Sequence, residues 1–188
     1  MTLSARSAAT KARLQAVALD LFEQRGFDDV TVEQIAAAAG VSHMTFFRLY
    51  GSKEAVLLED PFDPLIAQAV AAQDPALPAV ERIAAGLLSA LEHLDTADDA
   101  TVRRRIRIAV GNPRLEAGMA GNTRATQDAI RATGTNDHER RELRIAAAAC
   151  LGAITIALLE WASEVSPETL ADAVAAAIHV VVPARAQP

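Results

Sequence analysis

Residues 31–50 read TVEQIAAAAGVSHMTFFRLY, and the order of small, apolar and polar positions in this stretch decides the fold. Thr31 stands where a helix N-cap belongs, and Gln34 supplies the reciprocal half of a capping box. Val32, Ile35, Ala36 and Ala39 form the apolar stripe of a short helix. Gly40 can take the positive φ of a tight turn. Ser42 caps a further helix running through Tyr50, and Val41 plugs the angle between the two. Ala36 is small where the helices must approach closely, while Ile35, Phe46 and Leu49 supply the shared apolar contact. This is the spacing of a helix-turn-helix, whose second helix turns Ser42, His43, Met44, Thr45 and Phe47 outward, where base edges in a major groove would be met.

Working outward, Leu14, Val17, Ala18, Leu21 and Phe22 follow the spacing of an amphipathic helix that stops near Gly26, and Ser52 caps a fourth helix beginning at Lys53. The remainder also reads as helix. Asp60-Pro61 and Asp63-Pro64 open a segment over about 64–73, which Asp74-Pro75 and Pro78 close. Val80, Ile83, Ala84, Leu87, Leu88 and Leu91 mark a helix ending near Asp95, and others follow over about 98–110 and 113–132. The longest is expected over 138–161, and Ser166-Pro167 opens a last one along Leu170, Val174, Ala177, Ile178 and Val181.

Composition agrees. Of 188 residues 42 are alanine and only 4% are aromatic, which disfavours sandwiches and barrels. The single cysteine, Cys150, rules out an internal disulfide and a thiolate zinc cluster, and fits a reducing compartment. The N-terminus has no apolar core of a secretory signal. The longest uncharged run, Ile145 to Leu159, is shorter than the roughly 20 residues of a membrane span, so the expected address is cytoplasmic, with no membrane partner. The net charge of −6 is unevenly distributed. Residues 1–55 hold six basic and six acidic side chains, and residues 56–188 hold twelve and eighteen. Arg6, Lys11 and Arg13 precede the first acidic residue, as an arm that tracks a nucleic-acid backbone or as a tail.

The stretch from Lys11 to Leu58 resembles the N-terminal domain of the tetracycline-repressor (TetR) family, carried by ALDLF-x3-GF, TV-x2-IA-x3-GVS and TFFRLYGSKEAVL. The resemblance implies an all-α chain of about nine or ten helices: a three-helix, helix-turn-helix DNA-binding domain over 1–55, then a helical ligand-binding and dimerisation domain over 56–188. It implies a ligand-responsive homodimeric repressor on a palindromic double-stranded operator, with no cofactor. An activator of the same family, or a helical dimeric binding protein without DNA affinity, are the alternatives. Carried over by position, Thr31 meets phosphate with its helix N-terminus. Ser42, His43, Met44 and Thr45 face the groove, Arg48 and Lys53 match positions that meet phosphate, and Phe47 is expected to make van der Waals contact with sugar or a thymine methyl. Phe47 departs from the tyrosine common there and lacks its hydroxyl, and Leu49 departs from tyrosine or histidine.

Beyond Asp60 the residues must speak for themselves, although RIRIAVGNPRLEA is similar to an actinobacterial-type subgroup with an acyl-CoA-like effector. The nearly all-apolar run Ile145–Leu159 must be covered on more than one side, which implies a homodimer through the last two long helices. Arg103 and Arg107, one turn apart, suit an anionic effector, or else pair with Asp98 and Asp99 on a solvated face. Phe62, Met119 and Trp161 are candidate lining of an apolar effector chamber; the effector itself is unknown. Catalysis is not expected: phosphate-binding glycine loops, a nucleophile elbow and histidine pairs at metal spacing are all missing, and Cys150 lies among apolar residues that disfavour its thiolate.

Overall fold

The computed structural model describes residues 3–59, 63–91, 96–163 and 168–182. Among these residues there are ten helices and no strand, so the all-α expectation holds: α1 (Leu3–Arg25), α2 (Val32–Ala38), α3 (His43–Tyr50), α4 (Ala55–Leu58), α5 (Asp63–Ala71), α6 (Ala79–Leu91), α7 (Thr96–Ala109), α8 (Pro113–Ala132), α9 (Asp137–Ser163) and α10 (Leu170–Val181). Two compact units emerge. The first comprises the residues through Glu59 together with Arg104–Gly118, and the second comprises the rest.

In the first unit, α1 buries Leu14, Ala18, Leu19 and Phe22. Val17 and Leu21, expected in that stripe, are only half-buried, and Leu19 takes the inner place. The Phe22 and Phe27 rings meet with centroids 5.0 Å apart across the turn at Gly26. Val56 and Leu57 of α4 and Ile106, Ala109 and Leu115 from the later segment are buried side chains of the same unit. Consecutive arginines hold that segment. Arg104 grips Asp20 and Glu23 of α1 at 2.6 and 2.7 Å. Arg105 donates to the carbonyls of Leu57 and Glu59 at 2.7 and 2.8 Å, satisfying acceptors left open at the end of α4.

In the second unit, α9 packs against α10 and α6, and α6 against α5. Its inner face is Leu143, Ala146, Ala147, Cys150, Leu151, Ile154, Trp161 and Ala162. Burial pushes the Cys150 thiol up from its ordinary value. The last helix starts from Thr169, whose hydroxyl and Asp172 form a capping box; Ser166-Pro167, the expected initiation, lies outside the described residues. Gly86 permits the α5–α6 approach, since a Cβ there would lie 2.6 Å from Val70 Cγ2 and 2.7 Å from Val70 Cα. Arg82, only 5% exposed, is neutralised by Glu139 at 2.7 Å. The other Glu139 oxygen accepts from the Thr135 N–H and hydroxyl at 2.6 and 2.7 Å. Those two bonds and then Arg82 lower the Glu139 pKa from 4.5 to about 2.

Two outcomes follow from this packing. Gly86→Ala should lower Tm by about 3–9 °C, an overpacking cost of about 1–3 kcal/mol at a backbone that cannot retreat. Gly121→Ala, where a Cβ meets nothing within 4 Å, should raise Tm by about 1–3 °C; circular dichroism melts of both variants are the check. The depressed Glu139 pKa means that its ionised form is favoured by folding. Its contribution is therefore fully present above its ordinary value of 4.5 and is lost as pH falls toward about 2. Wild type should out-melt Glu139→Gln at pH 7, with the Tm gap closing across that acid window.

Candidate nucleic-acid interface

The α2–α3 corner is built from caps and one buried contact. Gln34 N–H donates to Thr31 Oγ1 at 3.3 Å, and Thr31 N–H donates to Gln34 Oε1 at 3.0 Å, closing the expected capping box. Gly40 has φ +66, and the Val41 N–H reaches back to Ala36 O at 2.9 Å. Ile35 and Phe46 are fully buried, whereas Leu49 and Val41 are half-buried. The buried side chains of the corner are thus on its inner side, and the outer face of α3 stays exposed.

On that outer face, Ser42 Oγ accepts from the Thr45 N–H at 3.1 Å and shares a hydrogen with Thr45 Oγ1 at 2.9 Å. His43 Nε2 lies 3.0 Å from Glu33 Oε1 of α2. Its ring packs on Phe47 with centroids 4.6 Å apart, and Phe47 meets Phe46 edge-on at 5.7 Å. Met44 is 75% exposed, although an apolar side chain gains nothing from water. Arg48 is exposed on the same short helix. Thr31, Ser42, His43, Met44, Thr45, Phe47 and Arg48 therefore all belong to the α2–α3 corner, where polar hydroxyls, a ring pair and a guanidinium are offered together.

Lys53 is placed differently. Its ammonium donates to the carbonyls of Phe27 and Val30 at 2.7 and 2.9 Å and sits 4.2 Å from the Phe27 ring centroid. Two of its three donors thus tie down the α1–α2 loop. Lys11 lies on α1 and pairs with Glu59, and its carbonyl accepts from the Tyr50 hydroxyl at 2.9 Å. Arg6 and Arg13 are likewise on the helix α1. Glu33 is the residue that sequence reasoning passed over. Its own backbone N–H and the Thr31 hydroxyl hold its carboxyl below the usual range.

The expected effector residues are distributed unevenly. Arg103 stacks 3.9 Å from the Trp161 ring centroid and donates to the Trp161 and Glu168 carbonyls at 2.6 and 3.3 Å. Trp161 Nε1 donates to Glu168 O at 2.8 Å, so this pair closes the end of α9. Asp99, offered as a partner for the arginines, accepts from the Leu170 N–H at 3.1 Å. Arg107 is exposed and belongs to the first unit, while Met119 is half-buried in the second. Phe62 lies outside the described residues. The second unit also carries an open groove of about 280 Å³ lined by Asp128, Arg131, Asp137, Arg140, Arg141 and Arg144.

Comparison with known proteins gives this geometry a lineage. Residues 14–59 match the family model described as bacterial regulatory proteins, tetR family, and residues 77–186 match the MftR C-terminal domain. MftR of Mycobacterium tuberculosis, named as a mycofactocin biosynthesis transcriptional regulator, is 34% identical over 115 residues, which cover 60% of this chain and 57% of MftR. The matches to two further curated regulators cover 30% and 22% of those proteins, so the chain spans little more than half of any of the three. Among solved structures, NalD of Pseudomonas aeruginosa, the secondary repressor of a multidrug efflux pump, superposes with TM-score 0.56 at 20% identity, covering 93% of this chain and 96% of NalD. FadR of Thermus thermophilus, solved with lauroyl-CoA, gives TM-score 0.50 at 23% identity, covering 95% and 97%. With an N-terminal family model over the helix-turn-helix and a second model over more than half of its length, this chain belongs to the TetR family of bacterial regulatory proteins.

Proposed function

We propose that this chain is a sequence-specific DNA-binding repressor, acting in the cytoplasm as a homodimer and released from its operator by a small-molecule effector. The carrying observation is the outer face of α3. The helix packs on α2 with Phe46 fully buried, yet its outer side offers hydroxyls, an imidazole, Met44 and Arg48 in one short segment. Thr31 at the start of α2 would meet phosphate, Arg48 and the third donor of Lys53 would do the same, and Ser42, His43, Met44, Thr45 and Phe47 would enter the groove. Two such helices about 34–36 Å apart read a palindrome.

The partner is a second copy, through α9 and α10. Ile145 and Ile156 on α9 and Val180 on α10 are 62%, 58% and 83% exposed. Ala148, Ala149 and Gly152 on the exposed side of α9 let another helix come near. The effector occupies the second unit; the lauroyl-CoA found with FadR supports an acyl thioester, and of the residues expected to meet it Arg103, Met119 and Trp161, which all belong to that unit, remain its proposed contacts. Binding would release DNA only through unequal affinity for two conformers.

Fluorescence anisotropy with duplexes selected from a random pool tests this reading. Arg48→Ala should weaken every sequence alike and reduce the salt slope by about one, whereas Thr45→Ala should change which bases are preferred. Uniform loss for both would remove the assigned roles. Separately, Ile156→Glu should convert a dimer to monomer in sedimentation velocity and cost operator affinity by at least about tenfold, since one head loses the benefit of the other.

A further inference from the structure

Glu33 is an odd residue to find beside a surface meant for a polyanion. It is exposed, its carboxylate is held ionised, and it lies one α-helix away from the reading edge, where its charge repels phosphate. Its partner gives the reason. The Glu33 oxygen is 3.0 Å from His43 Nε2, and a carboxylate can only accept, so Nε2 must carry a hydrogen. The imidazole cannot swing freely, because its ring also rests on Phe47 at 4.6 Å, and Phe47 is itself braced against buried Phe46. A neutral ring with hydrogen on Nε2 has its lone pair on Nδ1, the one hydrogen-bonding atom left to it.

We propose that Glu33 is a specificity-determining residue that never touches a base: by fixing the tautomer and pose of His43, it makes Nδ1 an acceptor that selects a base edge carrying an amino donor. In the major groove such donors are the N6 amino group of adenine and the N4 amino group of cytosine, while guanine offers acceptors at N7 and O6 and thymine at O4. One position in each half-site is therefore read as adenine or cytosine on the strand facing His43. This rests on the DNA-binding reading above and adds to it a positioning residue and a base class.

The test is selection of bound duplexes from a random pool by the full chain, run on wild type, Glu33→Ala, Glu33→Gln, His43→Ala and the Glu33→Ala/His43→Ala pair, with thermal melts of each. Wild type should favour adenine or cytosine over guanine or thymine at one half-site position by roughly fivefold, about the discrimination of one hydrogen bond. His43→Ala should erase that preference alone. Glu33→Ala should flatten the same position and no other while binding scrambled duplex more tightly, and the double variant should match His43→Ala in base preference while keeping the tighter scrambled-duplex binding of Glu33→Ala. Glu33→Gln, whose amide can donate to Nε2 and turn Nδ1 into a donor, should admit guanine or thymine there. The proposal is overturned if Glu33→Ala leaves the preference intact, if it flattens all positions together, or if the position lost with His43 favours guanine or thymine in wild type. A wild-type chain that selects no sequence at all would instead sink the DNA-binding reading beneath it.

Discussion

The angle between α2 and α3 is the constraint on which the rest depends. Ile35 of α2 and Phe46 of α3 have no accessible surface, the two helices pack together, and close-packed side chains of this kind do not shift without leaving a void. Around it, the positive φ of Gly40 and the Val41 N–H bond to Ala36 O leave the turn one path. The capping residues start each helix at a defined register. Every outer side chain then inherits its direction from the inner ones, which is why an eight-residue helix, far too short to persist alone, can present a fixed pattern.

The first unit spends its charges differently from what a count suggests. Arg104, Arg105, Lys11 and Lys53 are cations that a net-charge reading would offer to a polyanion, yet each is engaged by acidic groups or carbonyls of the same unit. On the reading proposed above, attraction for DNA would rest on the arginines that stay exposed, Arg48 among them, and the balance of six basic and six acidic residues over 1–55 keeps that attraction modest. An interface so sparing in charge would lean on base-edge contacts, which are the ones that discriminate.

Local chemistry was legible and non-local chemistry was not. The Thr31–Gln34 box, the Gly40 turn and the span of α3 through Tyr50 depend on residues within a few positions, and the sequence reading placed each of them as the structure does. The inner place of Leu19, the stacking of Arg103 on Trp161 and the burial of Arg82 with Glu139 depend on partners up to 58 residues away, which spacing cannot encode. Glu33 escaped for the same reason at shorter range. Its pairing with His43 exists only once the corner angle brings two helices together, and ten residues of sequence separation carry no trace of that angle.

Helix α9 poses a last physical choice. Its length and mean hydropathy of 1.9 over the richest window would suit a lipid bilayer, and only 39% of that window is buried within the chain. The uncharged part runs from Ile145 to Leu159, however, and at 1.5 Å per residue it is about 22 Å long, short of the roughly 30 Å of a hydrocarbon core. Arg141, Glu142 and Arg144 bound it on one side and Glu160 on the other, all exposed. A bilayer would have to thin or take in those charges, at a cost of several kcal/mol. Another protein helix asks for neither, since small residues at Ala148, Ala149 and Gly152 admit its backbone while the charges stay wet at both ends. On the reading proposed above, the exposed isoleucines that look misplaced on one chain would be covered in a bundle made by two.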